Sequence, residues 1–417
     1  MISHVVDTLQ SLSPDNIILV ISPQSKEQIV GLFGGSIKLV VQEAPAGTGD
    51  ALRRAVEQFP DLEGTLLVTC GDTPLLEKES FEKLLEQHIH QKATATVLTA
   101  ELLNPYGYGR IVKDKNRRIK SIVEEKDADS KIKKMQEINT GTYCFELEEL
   151  VKTFSFLRKD NRQEEYYLTD CIKLLVKQKK KAVSFLISDS SSALGINTMQ
   201  ELSEARKILS KRILQTWMNS GVLFVDPQTS YLDIDLKIGS GTVIYPFVML
   251  EKGTLIGSNC QIGPFTRISN SRIGNEVVVQ NSVLDDVVVG DECCIGPFAY
   301  LRPGTVLQKR IKVGDFVEIK KTTIGSGSKV PHLSYIGDAF LGENVNIGAG
   351  TITCNYDGKG KYNTIIENGA FIGSNTNLRA PVRIGKNAVT GAGSVVLQDV
   401  EPDTVVAGVP AKVIKGD

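Results

Sequence analysis

The sequence lacks a charge of either sign to spare. Its 48 Lys and Arg stand against 49 Asp and Glu, a formal net charge of -1. The two signs are interspersed, so no broad electrostatic footprint for nucleic acid or a membrane surface exists and small-molecule ligands are expected instead. No apolar run is long enough to span a bilayer, and the opening MISHVVDTLQSLSPDN has no basic or apolar region of an export signal. The seven cysteines are odd in number and scattered, without the paired spacing of a zinc site or a disulfide framework, which fits a reducing cytoplasm. Histidine is scarce, at four residues.

What is present is enough apolar content, 41% of 417 residues, for two or three ordinary cores. From about Asp233 almost to the end an aliphatic residue recurs every sixth position, as in Ile238, Ile244, Leu250, Ile256, Ile262 and Ile268, and again in Ile366, Ile372, Leu378 and Ile384. A six-residue period suits the flat faces of a parallel β-helix, where each aliphatic side chain stacks on its copies in neighbouring coils. Two stretches read as insertions that break the beat, VPHLSY around His332 and CNYDGKGKYN after Thr353. Solenoids carry function on such excursions, so the chemistry of this half is expected there.

The first half reads differently. Ile2, Val5, Val6 and Leu9 have helical spacing, NIILVIS and SIKLVVQ read as buried strands around the helix SKEQIVGLF, and GTGDALRRAVEQF as a glycine-led helix before the strand GTLLVTCGD. This alternation predicts a parallel sheet. A charged helix from Thr198 to about Asn219 connects the halves, giving residues 1–197, a linker at 198–220, and 221–417 as domains.

In a doubly wound sheet, ligands bind beyond the carboxyl ends of strands, which places Asp72 to meet a metal and phosphates, with Asn197 able to complete the shell. Gln42 and Gly47-Thr48-Gly49 offer an amide and an open backbone to a base, and Tyr106-Gly107-Tyr108-Gly109 a second close approach. Glu124 and Asn139-Thr140 suit sugar hydroxyls. Taken singly, each of these is more ordinarily a turn or a cap.

In the second half His332 is the one histidine in a break of the repeat, and it lies among Arg302, Lys320, Tyr335 and Asn346. Imidazole titrates near neutrality and suits removal of a proton from an amine that attacks a thioester. Glu318 is placed to orient the ring, Arg302 and Lys320 supply the charge a sugar phosphate needs, and Asn355 and Tyr356 can position the incoming groups. Cys354 suggests an acyl-enzyme, but direct transfer needs none.

CGDTPLL, NPYGYGRI, IVEEKDA, QEINTGTY and EEYYLTD resemble the pyrophosphorylase domain of bifunctional N-acetylglucosamine-1-phosphate uridyltransferase/glucosamine-1-phosphate acetyltransferases, and the repeats with their breaks resemble the acetyltransferase domain of the same family. The resemblance covers nearly the whole chain. It implies a Rossmann-like α/β nucleotidyltransferase domain, a connecting helix and a left-handed parallel β-helix. It implies that Gln42, Gly47 and Thr48 contact the uridine end of UTP, that Gly109, Glu124 and Asn139 hold the N-acetylglucosamine end, and that Asp72 and Asn197 hold Mg2+. It makes His332 the general base, Arg302, Lys320, Tyr335 and Asn346 the sugar-phosphate ligands, and Ala349, Asn355, Tyr356, Ser374 and Ala392 the acetyl-CoA contacts. A homotrimer is implied by analogy with acyltransferases of this repeat class, with the excursion at 354–363 completing a site across the subunit boundary.

Two departures stand out. The family's domain begins with a strand and a glycine-rich loop carrying a basic residue, neither of which precedes NIILVIS here. Such a loop offers backbone N–H groups to a triphosphate, so its loss is expected to cost uridylyl transfer unless Met1 is internal to a longer chain. The tail VVAGVPAKVIKGD has Gly408 where an arginine is common in the family. Two rival readings follow: an acetyltransferase with a vestigial first domain, or a nucleotidyltransferase whose prism is only a trimerisation scaffold.

Overall fold

The computed structural model describes residues 1–415, and the last two residues of the VVAGVPAKVIKGD tail lie outside them. The chain divides into two compact units, Met1–Leu209 and Ser210–Asp417.

In unit 1, α1 (Ile2–Gln10) buries Val5 and Val6, as its helical spacing requires. It is followed by β1 (Ile18–Ile21), α2 (Lys26–Phe33), β2 (Lys38–Val41), α3 (Thr48–Gln58), β3 (Thr65–Val68), α4 (Lys78–His90) and β4 (Ala95–Glu101). Then come β5 (Arg110–Lys113), β6 (Ile119–Val123), β7 (Glu137–Glu146), α5 (Leu147–Phe154), α6 (Thr169–Lys177) and β8 (Ala182–Leu186), while α7 (Met199–Asn219) belongs to both units, which divide after Leu209. The expected parallel sheet is only partly formed. β1 pairs with β2 and β4 with β8 in parallel, but β7 runs antiparallel to β3, β4 and β5, and β5 to β6. The reason is local: β5, β6 and β7 follow one another without an intervening α-helix, so a reversing turn at Asp114–Arg118 replaces the crossover that a parallel pair needs. The strands divide into a two-stranded sheet, β1–β2, and a six-stranded one.

Unit 2 is a triangular prism. Three sheets of 10, 9 and 12 strands form its faces, each strand pairing in parallel with the one a coil earlier, save the antiparallel closing pair Val405–Gly408 and Ala411–Lys415. The first of these strands, Leu223–Phe224, lies ten residues before Asp233. Ile238, Ile244, Leu250, Ile256, Ile262 and Ile268 are all buried in one continuous core, together with Ile366, Ile372, Leu378 and Ile384. Burying each such side chain is worth about 1.5–3 kcal/mol, which is how a stack of two-residue strands holds together.

Only one of the two expected insertions exists. Between Ile347 and its partner Ile372 the chain gains residues, and these form the excursion after Cys354. At VPHLSY no residue is added. Lys312 pairs with Lys329 and Asp315 with His332, a constant offset of 17 (329 − 312 and 332 − 315). What differs is that both strands run to four residues, Lys312–Asp315 and Lys329–His332, before the corner at Phe316 and Leu333. Gly314 permits this, because a Cβ there would collide with the Pro331 carbonyl of the next coil.

Candidate active sites

The prism places its candidate side chains by register. From the Lys329–Asn346 pair, again offset by 17, His332 falls one coil before Ala349. Ile347 pairs with Ile372 and Ile372 with Thr390, so two residues on from each, Ala349, Ser374 and Ala392 stand in one column along an edge. The Asn375 N–H donates to the Ala349 carbonyl at 2.6 Å and the Gly393 N–H to that of Ser374 at 2.7 Å, fixing the column coil to coil. The Asp315–His332 pair therefore heads a strip of small side chains that leaves room for an extended ligand.

The His332 ring is exposed, and its Nδ1 lies 2.6 Å from Asp315 Oδ1. That hydrogen bond holds the Asp315 carboxyl below its usual range. It also selects the tautomer with a proton on Nδ1 and a free lone pair on Nε2. The orienting carboxylate is thus Asp315 and not Glu318, which accepts a 2.7 Å hydrogen bond from Arg302 instead. Asp315 was missed because it lies 17 residues back, and only the offset of the coils reveals the pairing.

Around the corner, Arg302, Glu318, Lys320 and Tyr335 share the next face, where Glu318 pairs with Tyr335 and Lys320 with Gly337. A Cβ on Gly337 would stand 2.9 Å from Asn355 Nδ2 and would run into Tyr335 Oη, so both side chains cover that glycine. Asn355 donates to Tyr335 Oη at 3.3 Å and to Asp338. The excursion is ordered by its own bonds: Tyr356 bridges Lys361, the Tyr362 N–H donates to the Asn355 carbonyl, and Asp357 accepts from the N–H groups of Lys359 and Gly360. It brings Lys361 against Lys320, and that second ammonium holds the Lys320 ammonium below its ordinary value. Two cations held together suit an anion, which makes Lys361 a candidate ligand that the sequence reading overlooked. Cys354 is half-buried and burial pushes its thiol up, away from nucleophilic use. His332 and the cations flank opposite ends of one face, and among the described residues the ring bonds Asp315 and neither Arg302 nor Lys320. Asn346 lies on the face of His332, opposite Lys329.

In unit 1 the predicted residues fall into three groups. Gln42 donates to the Gly47 carbonyl at 3.2 Å and to Asp50 at 2.9 Å, and the Thr48 hydroxyl accepts from the Leu168 N–H. Gly47 has φ of 102°, and a Cβ there would stand 2.5 Å from the Tyr166 carbonyl, so this turn lies tight against EEYYLTD. The second group surrounds Gly109. Its carbonyl accepts from the Asn139 N–H, and a Cβ on it would stand 3.2 Å from Glu124 Oε2. Asn139 donates to Tyr143 Oη at 2.7 Å, and Thr169 to Glu124 at 3.0 Å. Burial pushes both Glu124 and Asp72 above the usual carboxylate range. Thr169 follows Leu168, so EEYYLTD joins these first two groups.

Asp72 and Asn197 converge. A Cβ on Gly195 would stand 3.8 Å from Asp72 Oδ2 and 3.9 Å from Asn197 Nδ2. No cluster of three His, Cys, Asp or Glu suited to a metal exists among the described residues. One carboxylate plus one amide, completed by substrate phosphates, is the sparse donor set that Mg2+ accepts. A cavity of about 1010 Å3 elsewhere in unit 1, lined by Arg53, Val56, Leu147, Val151 and Phe154 among others, includes none of the predicted residues.

Residues 1–223 match the nucleotidyl transferase family model, residues 228–324 the GMPPB C-terminal domain, and residues 363–398 the bacterial transferase hexapeptide model. The bifunctional protein GlmU of Heliobacterium modesticaldum is 48% identical over 96% of this chain and 87% of its own length. Those of Syntrophomonas wolfei and Carboxydothermus hydrogenoformans are 47% and 48% identical over 97% and 96% of this chain, and over 90% and 89% of their own lengths. The chain belongs to the GlmU family. In this GlmU-family chain the nucleotidyl transferase match takes in the Gln42, Gly109 and Asp72 groups, and the hexapeptide match takes in Ser374 and Ala392. No helix among the described residues is long and apolar enough to cross a membrane.

Proposed function

We propose that the prism acetylates glucosamine 1-phosphate with acetyl-CoA, and that unit 1 transfers UMP from UTP to the N-acetylglucosamine 1-phosphate so formed, giving UDP-N-acetylglucosamine. The observation that carries this reading is the placement of Asp315–His332 at the head of the Ala349, Ser374 and Ala392 column, one coil away.

In the first reaction acetyl-CoA lies along that column, with Asn355 and Tyr356 beside its thioester end. Arg302, Lys320 and Lys361 hold the phosphate, while Tyr335 and Asn346 position the sugar. His332 Nε2 takes a proton from the sugar's ammonium group, and the freed amine attacks the thioester carbon. The carbon–sulfur bond breaks, the imidazolium gives its proton to the departing thiolate, the nitrogen sheds its remaining extra proton to water, and the amide is released. Asp315 stabilises the imidazolium throughout.

In the second reaction an oxygen of the sugar phosphate attacks the α-phosphorus of UTP and pyrophosphate leaves. Gln42, Gly47 and Thr48 face the uridine end, and Gly109, Glu124 and Asn139 the sugar. Asp72 and Asn197 would hold Mg2+, which when bound neutralises charge on the phosphates. The rest is positioning.

We also propose a homotrimer in the cytoplasm, where acetyl-CoA and UTP are available. Its support is an apolar ladder on the corner beside Asp315 and His332. Phe247 stacks on Phe265 at 4.8 Å and Phe298 on Phe316 at 5.4 Å, with Leu333 next, all at least half exposed. Neighbouring copies that cover this ladder reach the acetyl-transfer site, so the site is completed across subunits.

The test is His332→Ala. Thiol release from acetyl-CoA should fall by about 10²–10⁴-fold, the contribution of a general base, with unit 1 and the oligomeric state unaffected because the ring is exposed. Full acetyl transfer by this variant would favour the scaffold reading.

A further inference from the structure

Tyr108 lies between the two ends of the unit 1 site. Its hydroxyl accepts a hydrogen bond from the Gly195 N–H at 3.1 Å. Gly195 is the residue over which Asp72 and Asn197 converge, and the next residue, Ile196, donates its N–H to the Asp72 carbonyl at 3.0 Å. On the other side Tyr108 is bonded in chain to Gly109, whose carbonyl holds Asn139 and whose Cα faces Glu124. The residue after that, Arg110, is one of the largest fully buried side chains of the molecule. Its guanidinium donates to the Tyr108 carbonyl and to Glu125 at 2.8 Å, while its Nε has no partner among the described residues. A buried ion pair is poor support for stability by itself, but it fixes one geometry. Here it fixes the carbonyl of Tyr108.

We infer that Tyr108 is a positioning residue that couples the sugar end of the site to its metal end, through the Gly195 amide. The inference rests on the assignment of unit 1 as a uridylyl-transfer site. A sugar that settles against Gly109, Glu124 and Asn139 tightens the segment 108–110, between the Pro105–Tyr108 turn and β5. The Tyr108 hydroxyl passes that restraint to the segment bearing Asn197. By reciprocity, a metal on Asp72 and Asn197 tightens sugar binding by the same factor.

The test uses the full chain with Mn2+ as a paramagnetic probe and N-acetylglucosamine 1-phosphate as ligand. In the wild type the sugar phosphate should tighten Mn2+ binding, partly by direct coordination. Tyr108→Phe keeps the ring and any direct coordination but removes the hydroxyl. It should weaken Mn2+ about fivefold or more in the presence of the sugar phosphate, the lower end of ordinary coupling. Tyr231→Phe, the same change on an exposed ring of unit 2, should leave the affinity unchanged. A second measurement needs no variant: added without metal, the sugar phosphate should slow amide exchange in the 190–197 peptide of the wild-type chain. If the wild type binds both ligands and neither the Tyr108→Phe affinity nor the exchange of that peptide changes, the coupling is overturned while the site assignment stands. If the wild type binds neither ligand, the assignment falls and takes the coupling with it.

Discussion

The two sites of this chain are held in place by different physics. In the prism the candidate base and its column are placed by backbone pairing: Asp315, His332 and Ala349 share a column because coils at that height are 17 residues long. In unit 1 the same task falls to single hydrogen bonds between distant loops, such as Thr48 to Leu168 and Tyr108 to Gly195. A register-built site should tolerate the loss of most side chains around it and be destroyed by a change in backbone spacing. A bond-built site should lose function in graded steps.

The strongest way to break this contrast is Gly314→Val, which removes no functional group. Its Cβ collides with the Pro331 carbonyl, so the pairing of Asp315 with His332 cannot survive. Acetyl transfer should drop as far as the roughly 10²–10⁴-fold at stake in general-base catalysis, with uridylyl transfer intact. Retention of acetyl transfer would show that register does not hold the site. Asp315→Asn should cost less, about tenfold to a hundredfold in kcat with KM unchanged, because the ring stays in place but loses charge support and its tautomer preference. Lys361→Ala should act on the other term. Losing one charge-assisted contact to the phosphate, about 1.5–3 kcal/mol, should raise the KM for glucosamine 1-phosphate by at least tenfold and spare that for acetyl-CoA. It should also let Lys320 return toward its ordinary value, since the neighbouring ammonium is what holds it down.

The same contrast explains what could be read in advance. The six-residue beat predicted the prism and its buried rungs, because a repeat states its own packing. It misled at VPHLSY, where polar residues looked like an insertion but are the end of one lengthened strand, paired with another a coil earlier, and a corner. Asp315 and Lys361 escaped notice for related reasons. One is a coil away in sequence but adjacent in space, and the other depends on how the excursion folds back on itself. Helices such as α1 and α7 were legible from their apolar spacing, whereas strand direction in unit 1 was not. Residues 110–146 contain three strands, β5 to β7, joined without an α-helix, and their antiparallel sense follows from the reversing turn at Asp114–Arg118 and the pairing of β5 with β7, which apolar spacing does not encode. Motif resemblance, not periodicity, located Glu124 and Asn139, and nothing local marked Tyr108 as their link to Gly195.

The smallest effect tests whether the loop-built site carries a stability cost that the exposed prism site avoids. Burial raises the Glu124 carboxyl above its ordinary value, against the opposing bond from Thr169. The folded state therefore holds its proton to a higher pH than the unfolded chain does. Between those two values the folded state binds more protons, so stability falls as pH rises through the window, and above it the cost is fully present. Glu124→Gln keeps an oxygen to accept from Thr169 and carries no charge. Its unit 1 should melt higher than the wild type at neutral pH, and the gain should shrink as pH falls through the folded-state value toward the unfolded one. Uridylyl transfer should decline in the same variant, since a group kept charged at a stability cost is one that function requires. Melting curves of the two proteins across that pH range check the sign, and a gain that persists unchanged in acid would rule out burial of charge as its cause. His332→Ala, followed the same way, should show no matching gain, because its ring and Asp315 are both open to solvent.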